Sequence, residues 1–211
     1  MKDIVILGTG GLGKEVLELI HQINKKGLTW NVLGFFDDTK EVGTEVNGIK
    51  VVGGLQELRD SACQNVVIAI GNPEVRAKLI RELSIHKTLP TLIHPTVMIP
   101  DAYISIGIGS IIGAHVFLSV NVSIGSGVLL NVGCSIGHDV EIGDYCTVNP
   151  GARVSGSVKI GELSFIGVGA ILNNNILIAS EVKVGAGAVV LKSVEKKSTV
   201  FGNPARIMLN N

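Results

Sequence analysis

One histidine of this chain is followed directly by a carboxylate, as His138-Asp139. A carboxylate that hydrogen-bonds to one imidazole nitrogen fixes the tautomer and raises the basicity of the other nitrogen. The pair therefore predicts a general base, which can take a proton from an attacking nucleophile. An exposed histidine without a catalytic role is the alternative interpretation of the same residues.

A glycine-rich segment near the start of the chain has the spacing of a phosphate-binding loop. The segment Gly8-Thr9-Gly10-Gly11-Leu12-Gly13 matches G-x-G-x-x-G between a predicted strand and a predicted helix. Glycine there lets backbone N–H groups approach a phosphate at the positive end of a helix. Asp37 comes near the position where an acidic residue would meet a ribose. The pattern predicts nucleotide binding, and a tight strand–helix turn without a ligand is the alternative.

The elements that must position this glycine loop alternate between strand and helix. Hydrophobic patterning predicts strands at residues 4–7, 32–36 and 66–70, and helices around residues 16–23 and 75–83. We therefore predict an α/β, Rossmann-like domain over residues 1–93, with a linker near residues 94–103. A complete NAD domain is not expected, because ninety residues hold only about half of a six-stranded dinucleotide fold.

The rest of the chain, which must position His138, is governed by a six-residue period. A fixed period this short fits neither an isolated helix nor an ordinary sheet and is typical of a parallel β-solenoid. We expect the Gly, Asn, Ser or Ala that follows most of the aliphatic residues to supply the unusual backbone angles of the corners. This hexapeptide repeat resembles that of the left-handed β-helix acyltransferases. The recurring aliphatic residues are Ile106, Ile112, Leu118, Ile124, Leu130, Ile136, Ile142, Val148, Val154, Ile160, Ile166, Leu172, Ile178, Val184 and Val190.

In the fold that this repeat resembles, three hexads form one triangular coil. Residues eighteen apart then stack on one face, and the repeats make about five coils of an all-β left-handed parallel β-helix over residues 94–211. Gly156 is expected to stack above His138 and to leave open space beside its ring. Cys134 and Cys146 are twelve apart, so they lie on different faces and are not expected to pair.

Composition narrows the possible partners. The net charge is zero and the pI is about 7.0, which does not favour nucleic acid or an anionic membrane surface. The mean hydropathy of +0.45 is high, but no apolar run approaches the ~20 residues of a spanning helix. No signal peptide is visible, and the three cysteines are interpreted as reduced thiols of a cytoplasmic protein.

Several segments extend the resemblance to the whole chain. With them, the chain resembles the bacterial sugar acetyltransferases, which include bacillosamine- and perosamine-pathway nucleotide-sugar N-acetyltransferases and sialic-acid O-acetyltransferases. Many acyltransferases share the repeat, whereas its combination with this N-terminal half is specific to the family. The segments are Gly8-Thr9-Gly10-Gly11-Leu12-Gly13-Lys14, Phe36-Asp37-Asp38, Ile68-Ala69-Ile70-Gly71-Asn72, Ile93-His94-Pro95, His138-Asp139 and Val200-Phe201-Gly202-Asn203-Pro204-Ala205-Arg206.

The resemblance implies acetyl transfer from acetyl-CoA to an amino group of a nucleotide-linked sugar for surface glycans. It also implies a homotrimer with coenzyme A between neighbouring subunits. Within this scheme His138 matches the base, Asp139 matches the acidic residue that polarises it (often a glutamate), and Asn131 matches an asparagine near the acceptor amine. A plain corner role for Asn131 stays open, because Asn149 and Asn173 share its repeat phase.

Further positions are assigned by the same resemblance. Six match positions that hold the nucleotide: Gly10, Gly11, Leu12, Asp37, Asp38 and Gly71. Three match positions beside coenzyme A: Gly156, Val168 and Ala186. Two residues depart from the family pattern: Leu12 stands where many members have a histidine, and Thr147 stands where one subgroup has a histidine that touches the acetyl donor.

Three other functions compete with this interpretation. A sialic-acid O-acetyltransferase would use His138 to activate a hydroxyl group. A non-catalytic trimeric scaffold would bind a nucleotide without acetyl-CoA. A metal-dependent protein resembling the β-helix carbonic anhydrases needs three converging histidines, and His94, His115 and His138 offer no close pair in the sequence, so no metal is predicted.

Overall fold

The computed structural model describes residues 1–100, 103–195 and 197–208. The chain divides into two compact units, Met1–Leu92 and Ile93–Asn211. The linker predicted near residues 94–103 includes Asp101 and Ala102, which lie outside the described residues, as do residues 209–211 at the end of the predicted β-helix domain. None of the helices among the described residues is both long and apolar enough to cross a membrane.

The first unit is an α/β structure built on a five-stranded sheet in the order β3-β4-β2-β1-β5. Strands β1, β2, β4 and β5 are parallel, and β3 is antiparallel to β4. This arrangement confirms the Rossmann-like prediction. The elements are β1 (Lys2–Leu7), α1 (Gly11–Lys26), β2 (Trp30–Phe36), β3 (Glu45–Val46), β4 (Ile49–Gly53), α2 (Leu55–Asp60), β5 (Asn65–Ile68) and α3 (Pro73–Leu83).

Three elements of the first unit, strands β3 and β4 and helix α2, were not predicted. Strands β3 and β4 form a hairpin whose turn residues, Asn47 and Gly48, have φ angles of 49° and 82°. Asn-Gly is a favoured pair for such a turn. Helix α2 is short, and its first N–H groups are satisfied by side chains: Gly54 N donates to Glu57 Oε2 at 2.8 Å and Leu55 N donates to Asp38 Oδ1 at 2.7 Å.

The second unit is a parallel β-helix with three faces. Between residues 104 and 190 the strands on each face pair in parallel with strands eighteen residues away, as Ser123 does with Glu141 and Ser135 with Arg153. The left-handed β-helix prediction is confirmed. Face 1 contains β7 (Ile104–Ile106), β10 (Val122–Ile124), β13 (Glu141–Ile142), β16 (Lys159–Ile160) and β19 (Leu177–Ile178). Face 2 contains β6 (Leu92–Ile93), β8 (Ile111–Ile112), β11 (Leu129–Leu130), β14 (Thr147–Val148), β17 (Phe165–Ile166), β20 (Lys183–Val184), β22 (Thr199–Gly202) and the antiparallel β23 (Ala205–Ile207). Face 3 contains β9 (Phe117–Leu118), β12 (Ser135–Ile136), β15 (Arg153–Val154), β18 (Ile171–Leu172) and β21 (Val189–Val190).

The interior of the β-helix consists of the predicted aliphatic series and the small or aliphatic residues two positions before it. From Ile112 to Val190 every member of the series is buried. Cys134 and Cys146 are buried here as free thiols. Burial raises the pKa of Cys134 to about 12, so this thiol packs as a neutral apolar group.

The corners differ from the prediction in the residue that takes unusual backbone angles. Every sixth residue from 103 to 187 has a left-handed φ. This residue lies two positions after the Gly, Asn, Ser or Ala that was predicted to supply the unusual backbone angle. Glycine at the predicted position serves close packing instead: a Cβ on Gly137 would lie 2.7 Å from the backbone nitrogen of Gly156 in the next coil. Most left-handed corner residues are not glycine, namely Tyr103, His115, Asn121, Asp139, Tyr145, Ser157, Leu163, Asn175 and Glu181.

Candidate active site

His138 and Asp139 lie at a corner between faces 3 and 1, in the turn that joins β12 to β13. We call the corners at 119–121, 137–140, 155–158 and 173–176 the 3–1 edge. His138 Nδ1 is 2.7 Å from Asp139 Oδ2, and half or more of each side chain is exposed. An ionised carboxylate only accepts hydrogen bonds, so Nδ1 carries the hydrogen and the lone pair of the ring is on Nε2. This arrangement is suited to proton abstraction by Nε2.

The carboxylate of Asp139 has a second partner, which the sequence analysis missed. Asn121 Nδ2, one coil earlier, donates to Asp139 Oδ1 at 2.9 Å. The hydrogen bond from Asn121 and then that from His138 hold the pKa of Asp139 below its usual value, against a smaller opposing effect of burial. Asp139 is therefore ionised near neutral pH. The sequence signal that could have predicted this contact is the eighteen-residue spacing between Asn121 and Asp139, which is one coil.

Gly156 lies beside the imidazole ring, but the space next to it is not open. A Cβ on Gly156 would lie 2.5 Å from both Cε1 and Nε2 of His138, so the ring itself fills the position of the missing side chain. A backbone hydrogen bond also joins the two coils at this point, because Ser157 N donates to the His138 carbonyl at 2.8 Å. The expectation of free space was wrong, and the glycine is what allows the ring to lie there.

Asn131, Val168 and Ala186 lie at a different set of corners, between faces 2 and 3. We call the corners at 131–134, 149–152, 167–170 and 185–188 the 2–3 edge. Val168 is 54% exposed and Ala186 is exposed. Asn131 is partly buried, and its Oδ1 accepts from Val132 N at 2.8 Å, as a corner residue can. A single chain therefore does not bring these three residues to His138.

Thr147 belongs to neither group of residues. It lies on β14, and its side chain is buried, with 1% of the residue exposed. Within one chain, almost none of its surface is accessible to an acetyl donor.

The glycines of the loop at residues 8–13 differ in whether the structure leaves room for a side chain. A Cβ on Gly13 would collide with the carbonyl oxygen of Gly8, so the absence of a side chain at Gly13 allows α1 to approach the end of β1. Gly10 and Gly11 instead have open space around them and begin α1. Their exposed backbone is placed where a phosphate could approach the helix N-terminus.

Asp37 ties the glycine loop to the end of β2. Its Oδ2 accepts from Thr9 N at 2.8 Å and Thr9 Oγ1 at 2.6 Å, and its Oδ1 accepts from Thr39 N and Oγ1. Burial would raise the pKa of Asp37, but the hydrogen bonds from Thr39 and Thr9 together outweigh it and lower the pKa to about 2. Asp37 thus has a structural role in addition to the predicted contact with a nucleotide, and Asp38 caps α2.

A cleft of about 680 Å³ lies at this end of the sheet. Gly10, Gly11 and Asp37 line it together with Lys14 and Lys40, two cations that the sequence analysis did not select. Leu12, Asp38 and Gly71 are not among its lining residues. The other lining residues are Thr9, Thr39, Thr44, Glu45, Val46, Asn47 and Ile70.

Gly71 follows β5 in a loop that a buried cation holds in place. Arg76 is 1% exposed, and its Nη1 donates to the Ile70 carbonyl at 2.8 Å and the Gly71 carbonyl at 3.0 Å. Asn72 caps α3 by accepting from Glu74 N at 2.9 Å. Arg76 was also missed, because its place in an amphipathic helix resembles that of a solvated residue.

Two histidines of the second unit are closer than their sequence positions suggested. The ring centroids of His94 and His115 are 6.4 Å apart, so the expectation that no close pair exists was wrong. Thr96 lies between them, with its Oγ1 2.8 Å from His94 Nδ1 and accepting from His115 N at 2.8 Å. Within residues 1–100, 103–195 and 197–208, no cluster of three His, Cys, Asp or Glu residues could hold a metal ion.

Two family models match the chain, one in each unit. The model of the PglD N-terminal domain matches residues 3–83, and the model of the bacterial transferase hexapeptide (six repeats) matches residues 121–156. At the level of sequence, no curated protein matches the chain.

Solved structures resemble the chain over almost its whole length. The acetyltransferase domain of PglB from Neisseria gonorrhoeae FA1090 is 30% identical over 99% of this chain and 100% of its own, with a TM-score of 0.89. A variant of perosamine N-acetyltransferase from Caulobacter crescentus, in complex with CoA and GDP-perosamine, is 29% identical over 100% and 98%, with a TM-score of 0.91. WeeI from Acinetobacter baumannii AYE is 33% identical over 99% and 100%, with a TM-score of 0.87.

Proposed function

Because this chain belongs to the bacterial sugar acetyltransferase family, we propose that it transfers acetyl from acetyl-CoA to an amino group of a nucleotide-linked sugar. His138 is the general base of this reaction. The observation that carries the proposal is the exposed His138–Asp139 pair with a contact of 2.7 Å, in a chain that is similar over its full length to an enzyme solved with CoA and GDP-perosamine.

The reaction needs only one proton acceptor from the chain. The acceptor amine attacks the thioester carbonyl, a C–N bond forms, and the C–S bond breaks to release the thiolate of CoA. Nε2 of His138 takes the proton of the amine and can return it to the thiolate, while Asp139 stabilises the imidazolium that forms. A general base contributes about 10²–10⁴-fold to the rate. No covalent enzyme intermediate is required.

The cleft of the first unit is the proposed site of the nucleotide. Gly10 and Gly11 place backbone N–H groups at the start of α1, where they can bind phosphate oxygens. Lys14 and Lys40 add positive charge to the same cleft. Asp37 holds the loop in this conformation. Contacts of Leu12, Asp38 and Gly71 with the nucleotide are proposed from the family resemblance alone.

A cyclic homotrimer is the proposed assembly. The base lies on the 3–1 edge, whereas Asn131, Val168 and Ala186, which match acceptor and CoA positions, lie on the 2–3 edge. A neighbouring subunit can bring its 2–3 edge to His138, which gives three sites at three interfaces. Face 3 between these edges exposes Phe117 (57%) and Ile171 (40%), as an interface would. We also propose a cytoplasmic location, in keeping with three free, buried cysteines.

The function is tested by measuring acetyl-CoA consumption with UDP-, GDP- and dTDP-linked amino sugars and with sialic acids. We expect turnover with at least one nucleotide-linked amino sugar and an N-acetylated product in the mass spectrum. Turnover with sialic acids alone would instead indicate an O-acetyltransferase. Nucleotide binding without acetyl-CoA binding would indicate a scaffold.

A further inference from the structure

Asn121 and Asp139 occupy the same corner position in consecutive coils. Both residues take left-handed backbone angles, with φ of 56° and 58°. Asn121 Nδ2 donates to Asp139 Oδ1 at 2.9 Å, and Oδ2 of the same carboxylate is 2.7 Å from His138 Nδ1. The carboxylate is therefore held at both oxygens, by an amide of the preceding coil and by the imidazole.

A left-handed backbone is by itself a sufficient reason for an asparagine. Asn175 occupies the same corner position two coils after Asp139, with φ of 57°. Asn175 has the same left-handed backbone conformation as Asn121, but it lies away from the carboxylate of Asp139. Asn175 is therefore a matched control that separates the backbone angle from the hydrogen bond.

We propose that Asn121 is a positioning residue for acetyl transfer, acting through the carboxylate of Asp139 on the orientation of His138. The inference rests on the proposed function. Half of the Asp139 side chain is exposed, so without a second partner the carboxylate could rotate to water and release Nδ1. The bond from Asn121 engages one oxygen and leaves the other facing the imidazole. Nε2 of His138 then keeps both its lone pair and its direction.

The kinetic test compares Asn121→Gly with Asn175→Gly. Glycine adopts positive φ freely, so each variant removes an amide and keeps the backbone. We expect Asn121→Gly to lower kcat about 10-fold, a part of the ~10²-fold or larger effect of removing the base, with both KM values nearly unchanged. Asn175→Gly should retain kcat, and thermal unfolding should be similar in both variants.

A double-mutant cycle tests whether Asn121 acts through Asp139. Asp139→Gly removes the carboxylate and also keeps the left-handed backbone. In that background we expect Asn121→Gly to change kcat by less than about two-fold, because the group through which it acts is gone. Full kcat in Asn121→Gly, or an equal loss with and without Asp139, overturns the inference.

A second readout is independent of activity. The hydrogen bond from Asn121 is the main cause of the lowered pKa of Asp139, so Asn121→Gly should raise that pKa toward its ordinary value. A ¹³C NMR titration of the Asp139 carboxyl group measures this change, with Asn175→Gly as the control. If the wild-type protein transfers no acetyl group, the proposed function fails. An Asp139 titration that is unchanged in Asn121→Gly separately overturns the positioning contact.

Discussion

At the scale of single residues, three consecutive coils define the environment of His138. Asn121 comes from the preceding coil, Asp139 follows in the chain, and Gly156 lies one coil later. The sequence predicts the histidine–carboxylate pair because the two residues are adjacent. It does not predict the contact of Asn121, which depends on left-handed backbone angles at two corners. It also misses the ring over Gly156, because the orientation of an exposed imidazole is not encoded by repeat phase.

Gly156→Ala tests whether the glycine sets the position of the ring. The new methyl group would lie 2.5 Å from Nε2 of His138, so the imidazole must turn away. We expect kcat to fall about 10²-fold, as for loss of the base, with little change in melting temperature. Steady-state kinetics and thermal unfolding check this, with Asn174→Ala one coil later as the control. Retained kcat with weakened acetyl-CoA binding would instead place Gly156 in donor binding only.

At the scale of elements, the six-residue period predicts the faces and the interior of the β-helix but not the backbone of its corners. Leu163 and Tyr145 take left-handed angles, although these cost about 1–2 kcal/mol for an L-residue, so closure of each coil imposes them. In the first unit, the β3–β4 hairpin and α2 were missed because both are too short to show a period. The Asn47-Gly48 turn was the one local signal for the hairpin.

The hydrogen bonds of Asp37, which connect the glycine loop to the end of β2, predict that the free energy of unfolding depends on pH. Folding lowers the pKa of Asp37 from 3.8 to about 2, so the ionised carboxylate stabilises the fold above about pH 4, and this contribution is lost as the pH falls toward 2. We expect Asp37→Asn to lower the free energy of unfolding at pH 6, with a difference from wild type that shrinks between pH 4 and 2. Denaturant unfolding across this range measures it. A difference that is constant with pH would show that the charge of Asp37 does not matter.

At the scale of the whole molecule, the chain carries its proposed site residues on two separate edges of the β-helix. The repeat phase places each residue at a corner, and the eighteen-residue coil shows which corners share an edge. The sequence does not predict which edges would meet in the proposed trimer, because that depends on the outward surface of a whole face. Face 3 presents the apolar side chains of Phe117, Ile171 and Val189 beside Ser135 and Arg153, whereas face 1 presents Ser123, the Glu141–Lys159 ion pair and Leu177.

Val168→Glu tests the proposed trimer. Val168 is 54% exposed on the 2–3 edge, and a carboxylate there would be buried without a partner in the interface. We expect sedimentation to show loss of the trimer, together with loss of acetyl transfer. Leu177→Glu is the control, since Leu177 is 44% exposed on face 1 and should tolerate the charge. A wild-type monomer with full activity would contradict the proposed assembly.

The most direct test of the central claim is the turnover of His138→Ala with acetyl-CoA and the nucleotide-linked amino sugar that the wild-type protein acetylates. We predict a loss in kcat of about 10²-fold or more with binding of both substrates and the melting temperature retained, because only the proton acceptor is removed. Asp139→Asn should cost less, since the imidazole remains. Wild-type turnover in His138→Ala would contradict the assignment of this histidine as the general base.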